Sequence, residues 1–147
     1  MTDTQPGGAV SNPPGALDMR AMYPGAPEVT VIDKLGIEFT EISAERTAGR
    51  MPVEGNTQPA GLLHGGSSAV LAETLASVAA QVHAGAGRQA VGIDLNATHH
   101  RGVRSGTVTG VATAIHLGRT TAAYEIVISD ERDRRVCTAR LTCMIIG

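Results

Sequence analysis

Apolar and polar positions along this chain keep two different periods, and the places where the period changes divide it into elements. From Gly36 to Ile42 they alternate, with Ile37, Phe39 and Ile42 marking a half-buried strand, and Arg46 to Val53 reads as its hairpin partner. Gly55 to Gly61, with Asn56 and Pro59, is a loop by its turn residues. Leu62 to Ala84 then changes to helical spacing. It has no proline, is rich in Ala and Leu, and predicts one long helix starting near Gly65 and ending at Gly85 or Gly87. Leu71, Leu75, Val78 and Val82 fall on one apolar stripe, while Glu73, Ser77, Ala80 and Gln81 fall on another side that is small and mildly polar. Period-two segments resume at Gln89 to His99, Gly106 to His116 and Thr120 to Ile146, the last broken into a hairpin by Asp130 to Asp133.

Two strands, a helix and four more strands joined largely by hairpins predict an α+β domain whose sheet wraps the helix. Small residues at alternate positions of one strand, Gly110, Ala112 and Ala114, would let the helix come close to it. Before this unit, Met1 to Gly15 carries three prolines and three glycines and reads as a disordered arm, leaving 16–147 as the folded domain. Ala16 to Tyr23 has the apolar spacing of a short helix stopped by Pro24, with Tyr23 and the methionines placed to cap one end of a core.

At 147 residues the chain has the length of one domain. A net charge of -2 gives no field to attract nucleic acid or an anionic membrane, and 2% aromatics disfavour single-strand binding by stacking. No apolar run approaches the roughly 20 residues of a bilayer span, and the N-terminus lacks the basic and apolar regions of a signal peptide. The expectation is a cytoplasmic protein. Cys137 and Cys143, six apart in one strand, would be roughly 20 Å from each other, beyond any disulfide, and read as buried thiols.

One residue breaks the helix's apolar character. Between Gly55 and Gly87, Glu73 is the only Asp, Glu, Lys or Arg, whereas a solvated helix face would carry several charges. Desolvating a carboxylate costs several kcal/mol, so one kept in such a setting points to a chemical task. The helix entry, Leu63-His64-Gly65-Gly66-Ser67, is a second signal. Glycines there let a ligand approach unpaired backbone N–H groups, which polarise a carbonyl and stabilise an oxyanion; a simple loop would also be written this way. Gln58 and His64 bracket the loop and could donate to the same carbonyl. Ser77, one turn beyond Glu73, could hold the carboxylate or a water, or bond back to its own backbone.

Gly65 and Glu73 lie about 12 Å apart along one helix, too far to touch one carbonyl carbon. An antiparallel second copy would place its Glu73 opposite the first chain's Gly65, an approach that small residues at Ala69, Ala76 and Ala80 would permit, giving two sites by twofold symmetry. His99-His100-Arg101 and His116 to Thr121 put cationic and polar groups near strand ends, where a phosphate-bearing ligand could be held. Neighbouring His99 and His100 should point to opposite faces, so a shared metal is not expected, and no spacing resembles a zinc site, a P-loop or a nucleophile elbow.

At these residues a family resemblance becomes visible. Gln58-Pro59-Ala60-Gly61-Leu62-Leu63-His64-Gly65-Gly66 followed by Leu71-Ala72-Glu73 resembles the hotdog-fold thioesterases of the phenylacetate-degradation and 4-hydroxybenzoyl-CoA type. Val91 to His99, Ile115-His116-Leu117-Gly118 and Cys137 to Ile145 look especially like 1,4-dihydroxy-2-naphthoyl-CoA thioesterases, and the likeness runs over about residues 28–147. It implies a hotdog fold, an antiparallel sheet of five or six strands around one long central helix, assembled as a homodimer or homotetramer with sites at the subunit interface. It also implies acyl-CoA hydrolysis without metal or cofactor. On this resemblance Glu73 is the nucleophile or general base, Gly65, Gln58 and His64 polarise or position the thioester carbonyl, and Ser77 assists. Contacts to CoA fall on His99, Arg101 and the turn Gly118-Arg119-Thr120. Thr98, His100 and Gly102 depart from the naphthoyl-CoA pattern, and Arg119-Thr120-Thr121 is closer to the hydroxybenzoyl type, which leaves the acyl group open. A hotdog enoyl-CoA hydratase would want a His paired with an Asp or Glu on the helix, and a non-catalytic acyl-CoA-binding protein would have no need of a lone helix carboxylate.

Overall fold

The computed structural model describes residues 22–147. The arm at 1–15 and nearly all of the short helix expected over 16–23 lie outside them. Helix α1 (Val31–Leu35) comes first, an element the hydrophobic pattern does not announce. It is held locally, since the Asp33 carboxylate accepts from the Thr30 N–H and hydroxyl at 2.7 and 2.8 Å. Gly36 closes it in the left-handed region at φ 66°. The strand expected from Gly36 therefore starts two residues later, because Gly36 is spent on the helix cap.

The strands are β1 (Glu38–Ile42), β2 (Arg46–Pro52), β3 (Gln89–His99), β4 (Thr107–Leu117), β5 (Thr121–Ser129) and β6 (Arg135–Ile146), and the long helix is α2 (Gly65–Ala84). All six strands form one antiparallel sheet in the order β1-β2-β4-β5-β6-β3. The hotdog fold implied by the resemblance is thus the fold of the chain, with six strands. Its first strand after the helix, β3, crosses to the far edge and pairs with β6.

Helix α2 packs across the concave face. Leu71 and Leu75 are fully buried, and Gly110 makes room for them: a Cβ built there would stand 2.6 Å from Leu75 Cδ1 and 3.3 Å from Leu71. Gly49 on β2 makes the same allowance for Leu75, at 2.9 Å. Burial runs around more of the helix than one stripe. Ala72, Ala76, Ala79 and Ala80 are fully buried within the single chain, and Glu73, Thr74, Ser77 and Gln81 are left half-buried on the remaining side. This corrects the expectation that Ala76 and Ala80 would face a second helix. The sheet curls far enough to cover them, so Ala69, Glu73 and Ser77 remain for any such contact.

The core continues into the sheet through Tyr124, Ile126, Ile128 and Leu141. Tyr124 also satisfies its hydroxyl, donating to Ala44 O at 2.9 Å. Cys137 and Cys143 are free, buried thiols as expected. At the β5–β6 turn, the Asp130 carboxylate accepts from the Arg132 and Arg134 N–H groups and pairs with the Arg134 side chain, and Asp133 takes the left-handed φ of 57°. Among the described residues no helix is long and apolar enough to cross a membrane.

Candidate functional site

The entry to α2 is built by the loop before it. Buried Asn56 anchors that loop from its side chain, donating through Nδ2 to Leu35 O and Pro52 O, each at 2.9 Å, while its own carbonyl accepts the His64 N–H at 2.9 Å. Gln58 N–H donates to Leu62 O, Leu63 N–H donates to Val103 O, and Thr57 bridges Leu63. Gly55 and Gly61 turn the backbone at φ of 81° and 74°. His64 is the N-cap, its Nδ1 accepting from the Gly66 N–H at 2.8 Å. Among the described residues the Gly65 N–H finds no acceptor, which leaves a first-turn donor at the positive end of a 20-residue helix open to a ligand.

A cavity of about 340 Å³ opens at this helix end, lined by Gln58, Leu62, Gly65, Ser68, His99 and Arg101 among others. The structure therefore brings Gln58, Gly65, His99 and Arg101 together. The His99 ring stands directly over Gly65, where a Cβ would meet its Nε2 at 2.8 Å, so any side chain at 65 would displace that ring. Gln58 holds its Oε1 on the Ala60 N–H, which turns Nε2 into a free donor. His100 also lines the cavity, contrary to the alternation expected of it, because β3 ends at His99 and the chain has left the strand. Its Nε2 lies 2.9 Å from Thr138 Oγ1. His64, occupied as the cap, is exposed outside this cavity wall.

Glu73 is elsewhere. It sits two turns along α2, half-buried, with Ser77 Oγ 3.4 Å from its Oε1 and the backbone of Gly92 on β3 packed against the carboxylate. Fully buried Cys143, the register partner of Gly92, completes this second cluster. Burial pushes the Cys143 thiol up to about 11, the Glu73 charge adds to the rise and the Ser77 hydroxyl opposes it, so the thiol stays protonated near neutrality. The chain thus carries two half-sites on one helix, a donor cluster at Gly65 and a carboxylate cluster at Glu73, about 12 Å apart along the axis.

The second expected CoA-binding group falls at the other end of α2. There, His83 Nε2 donates to Gly118 O at 2.8 Å and the Arg88 guanidinium bonds Arg119 O, beside a cavity of about 470 Å³ bounded by Met22, Tyr23, Gln81, Arg88 and Ile146. Within one chain, Gly118, Arg119 and Thr120 do not join His99 and Arg101, since the helix between them is about 30 Å long. Gly92, Cys143, Ser68 and Asn56 are the site residues that sequence reasoning missed. The first two need the β3–β6 register to be found, whereas Asn56 was visible in the sequence only as a turn residue of the loop, with nothing local to mark its side chain as the anchor. Among the described residues, no three His, Cys, Asp or Glu side chains converge on a point where a metal could be held.

Comparison with known proteins places the fold in a family. The family model described as the thioesterase superfamily matches residues 60–137, from the loop before α2 to the start of β6. A proofreading thioesterase EntH of Klebsiella pneumoniae is 49% identical over 121 residues, covering 82% of this chain and 88% of the relative. Its counterpart in Cronobacter turicensis is 47% identical over 119 residues, with 80% and 87% covered. Among solved structures, a thioesterase from Haemophilus influenzae superposes with a TM-score of 0.78 at 40% identity, covering 82% of this chain and 85% of its own. A mutant thioesterase from Pseudomonas aeruginosa does so with 0.77 at 44%, covering 80% and 86%.

Proposed function

The chain belongs to the thioesterase superfamily and is a thioester hydrolase, and within that class we propose that it hydrolyses an aryl- or related acyl-CoA, 1,4-dihydroxy-2-naphthoyl-CoA among the candidates, in a site completed by a second copy of itself. The observation that carries the reading is the separation of the two clusters: the Gly65 cavity holds donors and no carboxylate, and the Glu73 cluster holds a carboxylate and no oxyanion donor. Each supplies what the other lacks. Joining them takes an antiparallel pair of chains. The edge strand β3, 11 residues long with Val91 and Ile93 exposed, is an unpaired ladder that favours such self-association. Exposed Met144 and Ile146 on neighbouring β6 favour a further step to a homotetramer.

In this reading the thioester carbonyl sits in the Gly65 cavity, where the Gly65 N–H and Gln58 Nε2 draw electron density onto its oxygen, a stabilisation worth roughly 3–4 kcal/mol per donor in comparable sites. Glu73 of the second copy either attacks the carbonyl carbon, forming an anhydride that water opens, or takes a proton from water that attacks directly. Both routes add one water, break the C–S bond and release the acid and the CoA thiol. Ser77 steadies the carboxylate, and His64 keeps the helix entry formed while its Nε2 faces out. Arg101, and from the second copy Arg119 with Gly118 and Thr120, suit the phosphates of CoA. Two buried, unpaired thiols suit a reducing compartment such as the cytoplasm.

Thiol release from a panel of aryl- and straight-chain acyl-CoAs tests the substrate, and preference for straight chains would overturn the aryl reading. Sharing of the site is tested by co-refolding Glu73→Ala with Gly65→Pro. Statistical mixing makes half the dimers hybrid, each with one intact site, so a shared site restores about a quarter of wild-type activity. Background activity in hybrids shown to have formed by mass would refute it.

A further inference from the structure

Gly92 is a glycine that its own backbone does not require. It lies inside β3, its φ is outside the left-handed region, and it pairs in regular register with Cys143. Glycine in a strand interior weakens the strand, so its presence there marks something that needs the space. At Gly110 the space is taken by Leu75, and at Gly49 by Leu75 and the Glu38 carbonyl, which is packing of helix and neighbouring strand. At Gly92 it is taken by a charged group. A Cβ built there would overlap Glu73 Oε1 and stand 3.4 Å from Glu73 Cδ, with Leu141 Cδ1 next at 3.5 Å.

We infer that Gly92 is a positioning residue for the reaction, its missing side chain forming the seat that fixes the Glu73 carboxylate. The inference rests on the reading of Glu73 as the reacting carboxylate. Ser77 Oγ, 3.4 Å from Oε1, limits the carboxylate on the helix side, and Cys143 lies next to Gly92 across the β3–β6 ladder. Directly after Gly92 the register slips, with Ile93 as the extra residue of a β-bulge, a device that bends a strand locally and re-aims what it carries. The seat is therefore a built feature of the edge strand.

The chemistry of adding one methyl group separates positioning from stability. The obstructed atom is the tip of a flexible side chain, so it yields by rotating away, and the sheet has no need to move. Displacement on the order of 1 Å at a reacting group costs up to about a hundredfold in rate while leaving substrate binding alone. Gly92→Ala should accordingly lower kcat about 10- to 100-fold with KM held within about twofold. Its oligomeric mass and melting temperature should match the wild type.

The experiment measures thiol release from benzoyl-CoA and hexanoyl-CoA by the full chain carrying Gly92→Ala, Glu73→Asp, both together, or Glu73→Ala, with mass and thermal melting on each. Aspartate is one methylene shorter and withdraws from the seat, so Glu73→Asp should cost less in the Gly92→Ala background than in the wild type. Normal kcat in Gly92→Ala, strictly additive losses in the double variant, or loss of assembly or of the thermal transition would each overturn the inference, the last because the methyl group would then be obstructing the strand. Full turnover by Glu73→Ala would instead remove the underlying reading of the site.

Discussion

Asn56 offers the sharpest test of how the loop holds the helix entry. Its amide nitrogen donates to two carbonyls from different elements, Leu35 O at the end of α1 and Pro52 O at the end of β2, each at 2.9 Å, in a residue only 8% exposed. Asn56→Ala removes both bonds and leaves both carbonyls without that donor. A net bond is worth about 1 kcal/mol, and a stranded buried acceptor costs about 1–3 kcal/mol, which puts the loss at roughly 2–4 kcal/mol. For a chain of this size that is a fall in melting temperature of roughly 5–12 °C at fixed protein concentration, readable by calorimetry or circular dichroism. Asn56→Asp is the more telling substitution. It keeps the shape but turns the donor into a charged acceptor facing two carbonyl oxygens, so it should destabilise more than alanine. Because Asn56 O also receives the His64 N–H, loosening the loop should lower turnover beyond what the unfolded fraction explains. A melting temperature unchanged within a degree for Asn56→Ala, or an aspartate variant milder than the alanine, would refute the assignment of the amide as the double donor.

Three further outcomes follow from the same geometry. Glu73→Ala should lose at least about a hundredfold in kcat and keep its oligomeric mass, since it removes a half-buried charge and opens no large cavity; near-normal turnover would end its assignment. Gly65→Pro should fold, because proline is tolerated at the first position of a helix and the His99 ring it meets is a side chain that can swing aside; it deletes the N–H proposed to face the carbonyl, so steady-state kinetics should show activity at background, whereas Gly65→Ala, which displaces His99 and keeps the N–H, should lose less. Arg134, by its side-chain hydrogen bond first of all, holds the Asp130 carboxyl down to about 2 against the ordinary 3.8. A depressed carboxylate contributes stability that is fully present above about pH 4 and is lost as the pH falls through 2, so denaturation of wild type and Asp130→Asn should converge in that window and stay parallel above it.

Elements with strong local signals were legible from the residues alone. Glycines at 65 and 85 bound α2, the alternation from Gln89 sets β3 to the residue, and the turn residues Asp130 to Asp133 place the β5–β6 hairpin. Where the reading fell short, the deciding physics lay between distant segments. No local pattern says that β3 crosses to the edge beside β6, and without that pairing neither Gly92 nor Cys143 can be seen beside Glu73. The curl of the sheet hid Ala76 and Ala80, which helical periodicity had left on an open face. Helix α1 escaped because it buries no residue fully and owes its form to a cap. Of the expected site, Gln58, Gly65, His99 and Arg101 do share one cavity, and Ser77 does reach Glu73. Gly118 to Thr120 stand apart at the far end of the helix, where only a second copy could bring them to the same ligand.

The proposed division of the site along one helix would also account for the poverty of α2 in charge. A helix whose exposed side met water would gain solubility from several charged residues, whereas this one leaves Val70, Glu73, Thr74, Ser77 and Gln81 half-buried and carries a single carboxylate. Such a face tolerates a neighbour. If that neighbour is another copy of α2, the cost of desolvating Glu73 is met only where an N–H-rich helix end, the positive end of the dipole, lies opposite it, so electrostatics favours the antiparallel register that also completes the site. A parallel register would set two carboxylates against each other and oppose association. Assembly and catalysis would then select the same arrangement, and specific activity should fall on dilution together with the loss of the dimer, a coupling that a site contained in one chain would not show.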